Sequence, residues 1–239
     1  MIFYRRWQPV KAITFDLDDT FYDNHPYIRK AEAEQFAFMH QHFPASQALT
    51  QAHWQRIRKQ VILQNPSFKG DMIKLRRAVL TLGLAECGLT GQALEDAVEA
   101  IYQHFFFYRS DFQIRDEVKV VLKSLSAKYP LVAITNGNVD MERVGLAPYF
   151  SLALHASTLQ PMKPSPVMFN KAASFLKLAP QHILHVGDHL KKDVWAAIQC
   201  GYRAGWYADN REMRLQSESV NVLPDVAFSH LKELVDLLC

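Results

Sequence analysis

The sequence has little of what marks secreted, membrane-spanning or nucleic-acid-binding proteins. Its three cysteines are widely spaced and form no Cys-x-x-Cys arrangement, so neither a disulfide framework nor a zinc site is expected. No apolar run reaches the length of a membrane span, and no segment resembles a signal peptide. The net charge is only +3 and no long run of lysine or arginine occurs, which argues against nucleic acid as a partner. We expect a cytoplasmic protein with free thiols and no membrane or nucleic-acid partner.

The apolar residues follow two different spacings along the chain. Hydrophobic residues make up 49% of it and charged residues 21%, which is enough to build a sizeable core. Over residues 27–108 the apolar positions recur every three or four residues, and Pro44, Asn65 and Gly88 interrupt the pattern. This spacing predicts four helices in a small bundle.

The rest of the chain alternates between short apolar runs and helical patterns. Strands are predicted over residues 11–16, 131–135, 152–156, 183–186 and 203–207, and helices from Ser165 and over 194–200. Alternation of this kind is typical of α/β proteins, so we predict a Rossmann-like, mostly parallel sheet with helices on both faces and the first strand at its centre. The predicted domains are a core of residues 1–20 and 110–239 and an inserted helical cap of residues 21–109.

The first predicted strand runs directly into a group of carboxylates. Asp16, Asp18 and Asp19 follow its apolar residues, at the end where open α/β sheets bind ligands. Side chains alternate along an extended chain, so Asp16 and Asp18 can face one pocket. Facing carboxylates repel and imply a bound cation, a shared proton or both, and oxygen ligands suit Mg²⁺. Taken alone, the three aspartates are equally compatible with a solvated turn.

Polar residues also follow the other predicted strands. Thr135 and Asn136 follow the second strand, Lys163 the third, and Asp188 and Asp193 the fourth. Because parallel strands end at the same edge of a sheet, we expect these side chains to lie near the carboxylates of the first strand. Hydroxyls, amides and lysine bind phosphoryl oxygens and carboxylates bind Mg²⁺, so the set is typical of phosphate chemistry.

Each of these later motifs has a second interpretation. The sequence Thr135-Asn136-Gly137 is also a common turn, and Lys163, although it lies on a proline-flanked loop, is also compatible with a surface lysine. Asp193 either caps a helix or holds a lysine.

In this order the motifs resemble those of the haloacid dehalogenase-like hydrolase superfamily. Its phosphatases carry Asp-x-Asp-x-Thr, then Thr or Ser, then Lys, then Gly-Asp-x-x-x-x-Asp. The matching residues here are Asp16, Asp18, Thr20, Thr135, Lys163, Gly187, Asp188 and Asp193. The resemblance covers the whole chain, and the inserted helices resemble the superfamily's type 1 cap. His189 stands where many relatives have an acidic or small polar residue, and the sequence assigns it no role.

The resemblance implies a phosphatase mechanism and its residues. Asp16 would be the nucleophile that forms an aspartyl-phosphate, and Asp18 the acid that protonates the leaving oxygen and then the base that activates water. The implied Mg²⁺ ligands are Asp16, Asp18 and Asp188, supported by Asp193. The implied phosphate-binding residues are Thr135, Asn136 and Lys163.

The resemblance also implies a small phosphorylated metabolite as the substrate. Residues 17–24 and 131–138 are similar to bacterial phosphatases that act on 5-amino-6-(5-phospho-D-ribitylamino)uracil in riboflavin synthesis and also accept flavin mononucleotide. A sugar-phosphate phosphatase, a phosphomutase and a non-catalytic phosphate-binding protein are the alternatives. A dehalogenase is disfavoured, because a halide leaves without the proton that Asp18 would supply. The sequence gives no indication of the oligomeric state.

Overall fold

The computed structural model describes residues 1–218 and 222–239 as strands, helices and their connections. The strands are β1 (Ile2–Phe3), β2 (Ala12–Phe15), β3 (Leu131–Thr135), β4 (Leu152–His155), β5 (Ile183–Gly187), β6 (Arg203–Trp206) and β7 (Val226–Ala227). The α-helices are α1 (His25–His42), α2 (Gln51–Gln64), α3 (Met72–Glu86), α4 (Gly91–Arg109), α5 (Asp116–Ser126), α6 (Val167–Leu176), α7 (Ala196–Gln199) and α8 (Glu233–Leu238). A π-helical segment, Leu190–Trp195, leads into α7. Short 3₁₀ turns span Pro44–Ala48, Pro66–Gly70, Ala147–Tyr149, Pro180–His182 and Leu215–Ser217.

All the strands belong to one sheet with the order β1-β7-β6-β5-β2-β3-β4. Only β1 runs antiparallel to its neighbour, and β2 lies between β5 and β3. The predicted fold class, a mostly parallel sheet with helices and with the first predicted strand at its centre, is confirmed. Because β2, β3 and β5 run in the same direction, their carboxyl ends share one edge of the sheet.

Helices cover both faces of the sheet. On β2, Ile13 and Phe15 join one apolar cluster, which includes residues of α5 and α8, while Ala12 joins another, which includes residues of α6 and α7. All four residues of β2 are buried, as expected for a parallel strand covered on both sides. Full burial of a side chain such as Phe15 contributes about 1.5–3 kcal/mol, which holds this strand and the residues after it in place.

Helices α1 to α4 lie between β2 and β3 in the chain and share a third apolar cluster. Trp54 of α2 is buried in this cluster together with Ile57 and with Ile101 of α4. Gly83 of α3 leaves room for the Trp54 ring, because a Cβ there would collide with it. We propose that these four helices form the cap. Asp71 links them to the sheet, since its carboxylate accepts the amides of Lys74 in α3 and of Thr158 after β4.

The boundaries of two predicted helices were wrong. The helix expected from Ser165 begins at Val167, because a residue that precedes proline is disfavoured in the helical region and Pro166 serves as the N-cap. The helix expected over 194–200 begins earlier, as the π-helical segment from Leu190. The two-residue strands β1 and β7 were missed, because so short a strand shows no alternation. Among the described residues no helix is both long and apolar enough to cross a membrane.

Candidate active site

A cavity of about 300 Å³ opens at the carboxyl edge of the sheet, where β2, β3 and β5 end. Its wall contains five of the predicted site residues: Asp16, Asp18, Thr135, Asn136 and Asp188. The other two, Lys163 and Asp193, lie directly behind the wall. The structure therefore brings all seven candidate residues to one place, although they come from four separate stretches of the chain.

Lys163 is the cation at the centre of this group. Its side chain is only 1% exposed, and its Nζ lies 2.8 Å from Asp16 Oδ1 and 2.6 Å from Asp193 Oδ1. Burial disfavours the ammonium, but the two carboxylates outweigh this and raise the pKa of Lys163. Lys163 is thus a charged, buried residue rather than a surface lysine.

Asn136 fixes the backbone of Lys163 on both sides. Its Nδ2 donates to the Lys163 carbonyl at 3.0 Å, and its Oδ1 accepts the Lys163 amide at 2.7 Å. The Asn136 side chain therefore positions the lysine. A contact between Asn136 and a phosphate would come from its backbone and stays a prediction.

Asp193 holds Lys163, which decides between its two earlier interpretations. Its Oδ1 accepts from Lys163, and its Oδ2 accepts the amide of His189 at 3.0 Å. Burial alone would raise the pKa of Asp193, but Lys163 and His185 hold that pKa well below its usual range. The cap of the π-helical segment is His189, whose Nδ1 accepts the amides of residues 191 and 192. A Cβ at Gly187 would collide with Asp193, so this close packing requires glycine.

His185 is a buried member of the site that sequence reasoning missed. Its Nδ1 lies 2.8 Å from Thr14 Oγ1, and its Nε2 lies 3.3 Å from Asp193 Oδ1. Burial lowers the pKa of His185, so the ring is neutral. Because the Asp193 carboxylate can only accept, the ring proton sits on Nε2, and Nδ1 accepts the Thr14 hydroxyl. His185 is a polar residue in an otherwise apolar strand, and this is the only indication in the sequence that it belongs to the site.

Asp16 and Asp188 carry the unusual electrostatics of the cavity. Burial raises the pKa of Asp16 to about 7, against the opposing effect of Lys163. Burial, followed by repulsion from Asp193 and Asp16, raises the pKa of Asp188 to about 8. One carboxylate oxygen from each of Asp16, Asp188 and Asp193 lies within 4.8 Å of the others. Asp16 and Asp188, which line the cavity, therefore have too little positive charge nearby to keep both carboxylates ionised at neutral pH.

This donor set fits a divalent cation. Carboxylate oxygens of Asp16, Asp188 and Asp193 lie within 4.8 Å of one another. Because Asp16 and Asp188 repel each other when both are ionised, a bound Mg²⁺ would stabilise the ionised pair through the oxygen ligands it prefers. Both oxygens of Asp193 are engaged by protein donors, which leaves Asp16 and Asp188 as the carboxylates available to a metal.

Asp18 is held by two residues that the sequence did not single out. Arg109 Nη2 donates to Asp18 Oδ1 at 2.6 Å, and the Tyr22 hydroxyl donates to the same oxygen at 2.5 Å. Arg109 is the last residue of α4 and is 1% exposed. The second oxygen of Asp18, Oδ2, lies so close to Gly137 that a Cβ there would collide with it. A helix-terminal arginine 91 residues away carries no sequence signal of this contact.

Thr135 ends β3 beside these carboxylates. It is fully buried, and its Oγ1 accepts the amide of Gly137 at 3.0 Å. This bond bends the chain back after the strand, as expected for a Thr-x-Gly turn. The hydroxyl proton of Thr135 is left to donate toward the cavity.

Comparison with known proteins identifies the family of this chain. The family model for haloacid dehalogenase-like hydrolases matches residues 10–201. The chain belongs to this family. The resemblance drawn from the motifs and the expected enzyme class, a hydrolase, are both confirmed.

Curated relatives share the full length of the chain. The 5-amino-6-(5-phospho-D-ribitylamino)uracil phosphatase YigB of Escherichia coli is 34% identical, with 100% of each chain covered. A phosphoglycolate phosphatase of Neisseria gonorrhoeae is 29% identical, with 96% of this chain and 93% of that protein covered.

Solved structures support the same family. A structure described as 2-haloacid dehalogenase from Pseudomonas syringae has a TM-score of 0.88 and 35% identity, and covers 96% of this chain and 98% of its own. The hydrolase YfnB of Bacillus subtilis, described as bound to magnesium, has a TM-score of 0.65 at 20% identity, with 97% and 99% covered, and shares the fold.

Proposed function

We propose that this protein is a Mg²⁺-dependent phosphomonoesterase that works through an aspartyl-phosphate on Asp16. The observation that carries the proposal is the 2.8 Å contact between Asp16 and the buried Lys163, in a cavity whose wall also holds Asp18 and Thr135. A nucleophile, an acid, a hydroxyl donor and a fixed cation are the groups that phosphoryl transfer requires.

The carboxylates of Asp16 and Asp188, with the backbone carbonyl of Asp18, would hold the Mg²⁺. When bound, the ion supplies electrostatic stabilisation to a transferring phosphoryl group. Lys163 contacts Asp16 Oδ1 at 2.8 Å and keeps that carboxylate oriented and partly neutralised. Neutralisation matters because a carboxylate and a phosphate monoester repel each other.

The chemistry proceeds in two displacements. An oxygen of Asp16 attacks phosphorus and forms a new O–P bond as the ester O–P bond breaks, and Asp18 gives its proton to the leaving alkoxide. Water then attacks phosphorus, gives a proton back to Asp18, and the bond from phosphorus to Asp16 breaks. Arg109 and Tyr22 engage only Oδ1 of Asp18, which leaves Oδ2 for these proton transfers.

A dehalogenase is the competing function, because a similar structure is described as one. A halide leaves without accepting a proton, so that reaction gives Asp18 no task. The carboxylate of Asp18, aligned by two hydrogen bonds at the cavity, favours an alkoxide leaving group.

We propose a substrate of the class that the curated relative YigB acts on, 5-amino-6-(5-phospho-D-ribitylamino)uracil, together with flavin mononucleotide. The support is 34% identity over the whole chain. A phosphorylated sugar alone is the alternative, since the phosphoryl-binding residues contact only the phosphate.

The test is hydrolysis of 4-nitrophenyl phosphate with Mg²⁺, with and without EDTA, alongside halide release from 2-chloropropionate. We expect Mg²⁺-dependent phosphate release and no halide release. Halide release without phosphatase activity would overturn the proposal, and binding of inorganic phosphate without turnover would favour a non-catalytic protein.

A further inference from the structure

A second cavity, of about 260 Å³, lies among the four inserted helices, and most of its lining residues differ from those of the active-site cavity. The two cavities share three lining residues, Ile28, Met72 and Asn138. The two cavities therefore adjoin at these three residues, and Asp16 lines only the active-site cavity. A substrate whose phosphate reaches Asp16 would extend its other end toward this space.

The wall of this cap cavity is aromatic on one side and bears a fixed guanidinium. Phe36, Trp54 and Phe105 line it, and the guanidinium of Arg76 lies 3.5 Å from the centre of the Phe105 ring. Arg76 Nη1 also donates to Gln35 Oε1 at 2.8 Å. Stacked on a ring and bonded at one edge, the guanidinium is held in one plane.

Two further side chains of this cavity, Gln35 and Trp54, offer hydrogen-bond donors. Because a guanidinium only donates, the amide oxygen of Gln35 must face Arg76, and its NH₂ group is left to donate. Trp54 is 7% exposed, and its indole N–H has no acceptor among the described residues. A buried donor without a partner is destabilising, so an acceptor supplied by a ligand would stabilise this site.

Glu32 and Arg58 add one charge of each sign to this wall. Glu32 lies 3.5 Å from Arg76, so the wall as a whole carries one net positive charge and favours a ligand rich in acceptors. The carbonyl oxygens of a ring would match the donors, and a ring N–H would match Glu32. Aromatic walls favour a flat group over a flexible sugar.

We propose that the cap cavity is the subsite for the leaving group and that it takes a planar, oxo-substituted nitrogen heterocycle, with Arg76 as the residue that determines specificity. The proposal rests on the phosphatase function proposed above. Two aromatic residues near the start of the inserted segment lie outside this cavity: Phe21 packs on Phe15, and Tyr27 stacks on Phe112.

Arg77, the next residue of α3, offers a matched control. It also stacks on an aromatic ring, that of Tyr102, at 4.2 Å, and it pairs with Glu99, but it does not line the cavity. Substitution of Arg77 thus removes the same chemistry from the same helix outside the subsite.

The test compares Arg76→Leu, Arg76→Lys and Arg77→Leu by the ratio of kcat/KM for flavin mononucleotide to kcat/KM for ribose 5-phosphate. We expect the ratio to fall about tenfold or more in Arg76→Leu, to fall in Arg76→Lys because the planar stack is lost, and to stay at the wild-type value in Arg77→Leu. Circular dichroism establishes that each variant is folded. An unchanged ratio in folded Arg76→Leu would overturn the subsite.

A second measurement separates this inference from the proposed function. Riboflavin, which has the ring but no phosphate, is titrated by calorimetry into Asp16→Asn and into Asp16→Asn with Arg76→Leu. Binding that is lost on removing Arg76 supports the subsite even if the enzyme hydrolyses no phosphate ester tested. Equal binding to both proteins, or none to either, would overturn it.

Discussion

The guanidinium of Arg109, at the end of α4, lies 2.6 Å from the carboxylate of Asp18, just after β2. Arg109 is fully buried, and its Nε and Nη1 have no acceptor among the described residues. The last cap helix thus ends in direct contact with the residue that we assign as acid and base. Any displacement of α4 would alter how Asp18 is held.

We predict strong coupling between these two residues. The test is a double-mutant cycle of Arg109→Gln and Asp18→Asn. Each single variant should lower the free energy of unfolding, because it leaves the other group without its partner. For Asp18→Asn, which leaves the buried Arg109 unpaired, the loss should be about 3–5 kcal/mol. The coupling energy should be about 1–3 kcal/mol, measured by urea unfolding. The exposed pair of Lys30 and Asp111 is the control and should couple far less. Strictly additive losses at Arg109 and Asp18 would contradict the assigned contact.

Two carboxylates five residues apart should respond oppositely to amidation. In metal-free protein at about pH 9, where Asp188 is ionised, Asp188→Asn should stabilise by on the order of 1 kcal/mol, about 2–4 °C in Tm, because it removes a buried negative charge and its repulsion from Asp193 and Asp16. Asp193→Asn should destabilise by about 3–5 kcal/mol, because it breaks the buried contact with Lys163. Differential scanning calorimetry in EDTA measures both.

Added Mg²⁺ provides the second half of that comparison. It should raise the Tm of the wild type and have little effect on Asp188→Asn, because one of the two available carboxylates is gone. If Asp188→Asn responds to Mg²⁺ as the wild type does, Asp188 is not a ligand.

The metal-free protein should lose stability as the pH rises. Folding raises the pKa of Asp16 from 3.8 to about 7 and that of Asp188 from 3.8 to about 8. Between the lower and the upper value, each carboxyl is ionised in the unfolded chain but still protonated in the folded protein. Ionisation therefore favours the unfolded chain over that range, and the loss is complete above about pH 8. Mg²⁺ needs the ionised carboxylates, so it should raise Tm more at about pH 9 than at about pH 5. A shift that is larger at the acidic pH would contradict these directions.

The sequence predicted the sheet and the convergence of the site because both follow from local patterns. Parallel strands with buried residues on both faces bring the residues after β2, β3 and β5 to one edge, so Asp16, Thr135 and Asp188 could be expected together. The partners of those residues could not. In the sequence His185 is only a polar residue within a strand, and its contact with Asp193 appears in the tertiary structure. Likewise Arg109 is an ordinary last residue of a helix, and only the fold brings it to Asp18.

The contacts of the Asn136 side chain could not be predicted from the sequence either. A Thr-Asn-Gly turn after a strand predicts donors near a ligand, yet the Asn136 side chain makes its two hydrogen bonds to the backbone of Lys163. Which partner a turn residue finds depends on a loop 27 residues further along the chain, and local sequence does not encode that distance.

The aspartyl-phosphate on Asp16 is the central claim, and trapping it is the most direct test. Asp18→Asn should slow its hydrolysis, while 4-nitrophenolate, a leaving group that needs no proton, can still depart. Enzyme mixed with 4-nitrophenyl phosphate and Mg²⁺, quenched in acid and digested, should therefore yield the peptide containing Asp16 with one added phosphoryl group by mass spectrometry. Asp16→Asn should show none and should fold normally, because the change is nearly isosteric. Turnover in Asp16→Asn at about a tenth of the wild-type rate or more, with no phosphorylated Asp16 in Asp18→Asn, would contradict the covalent mechanism.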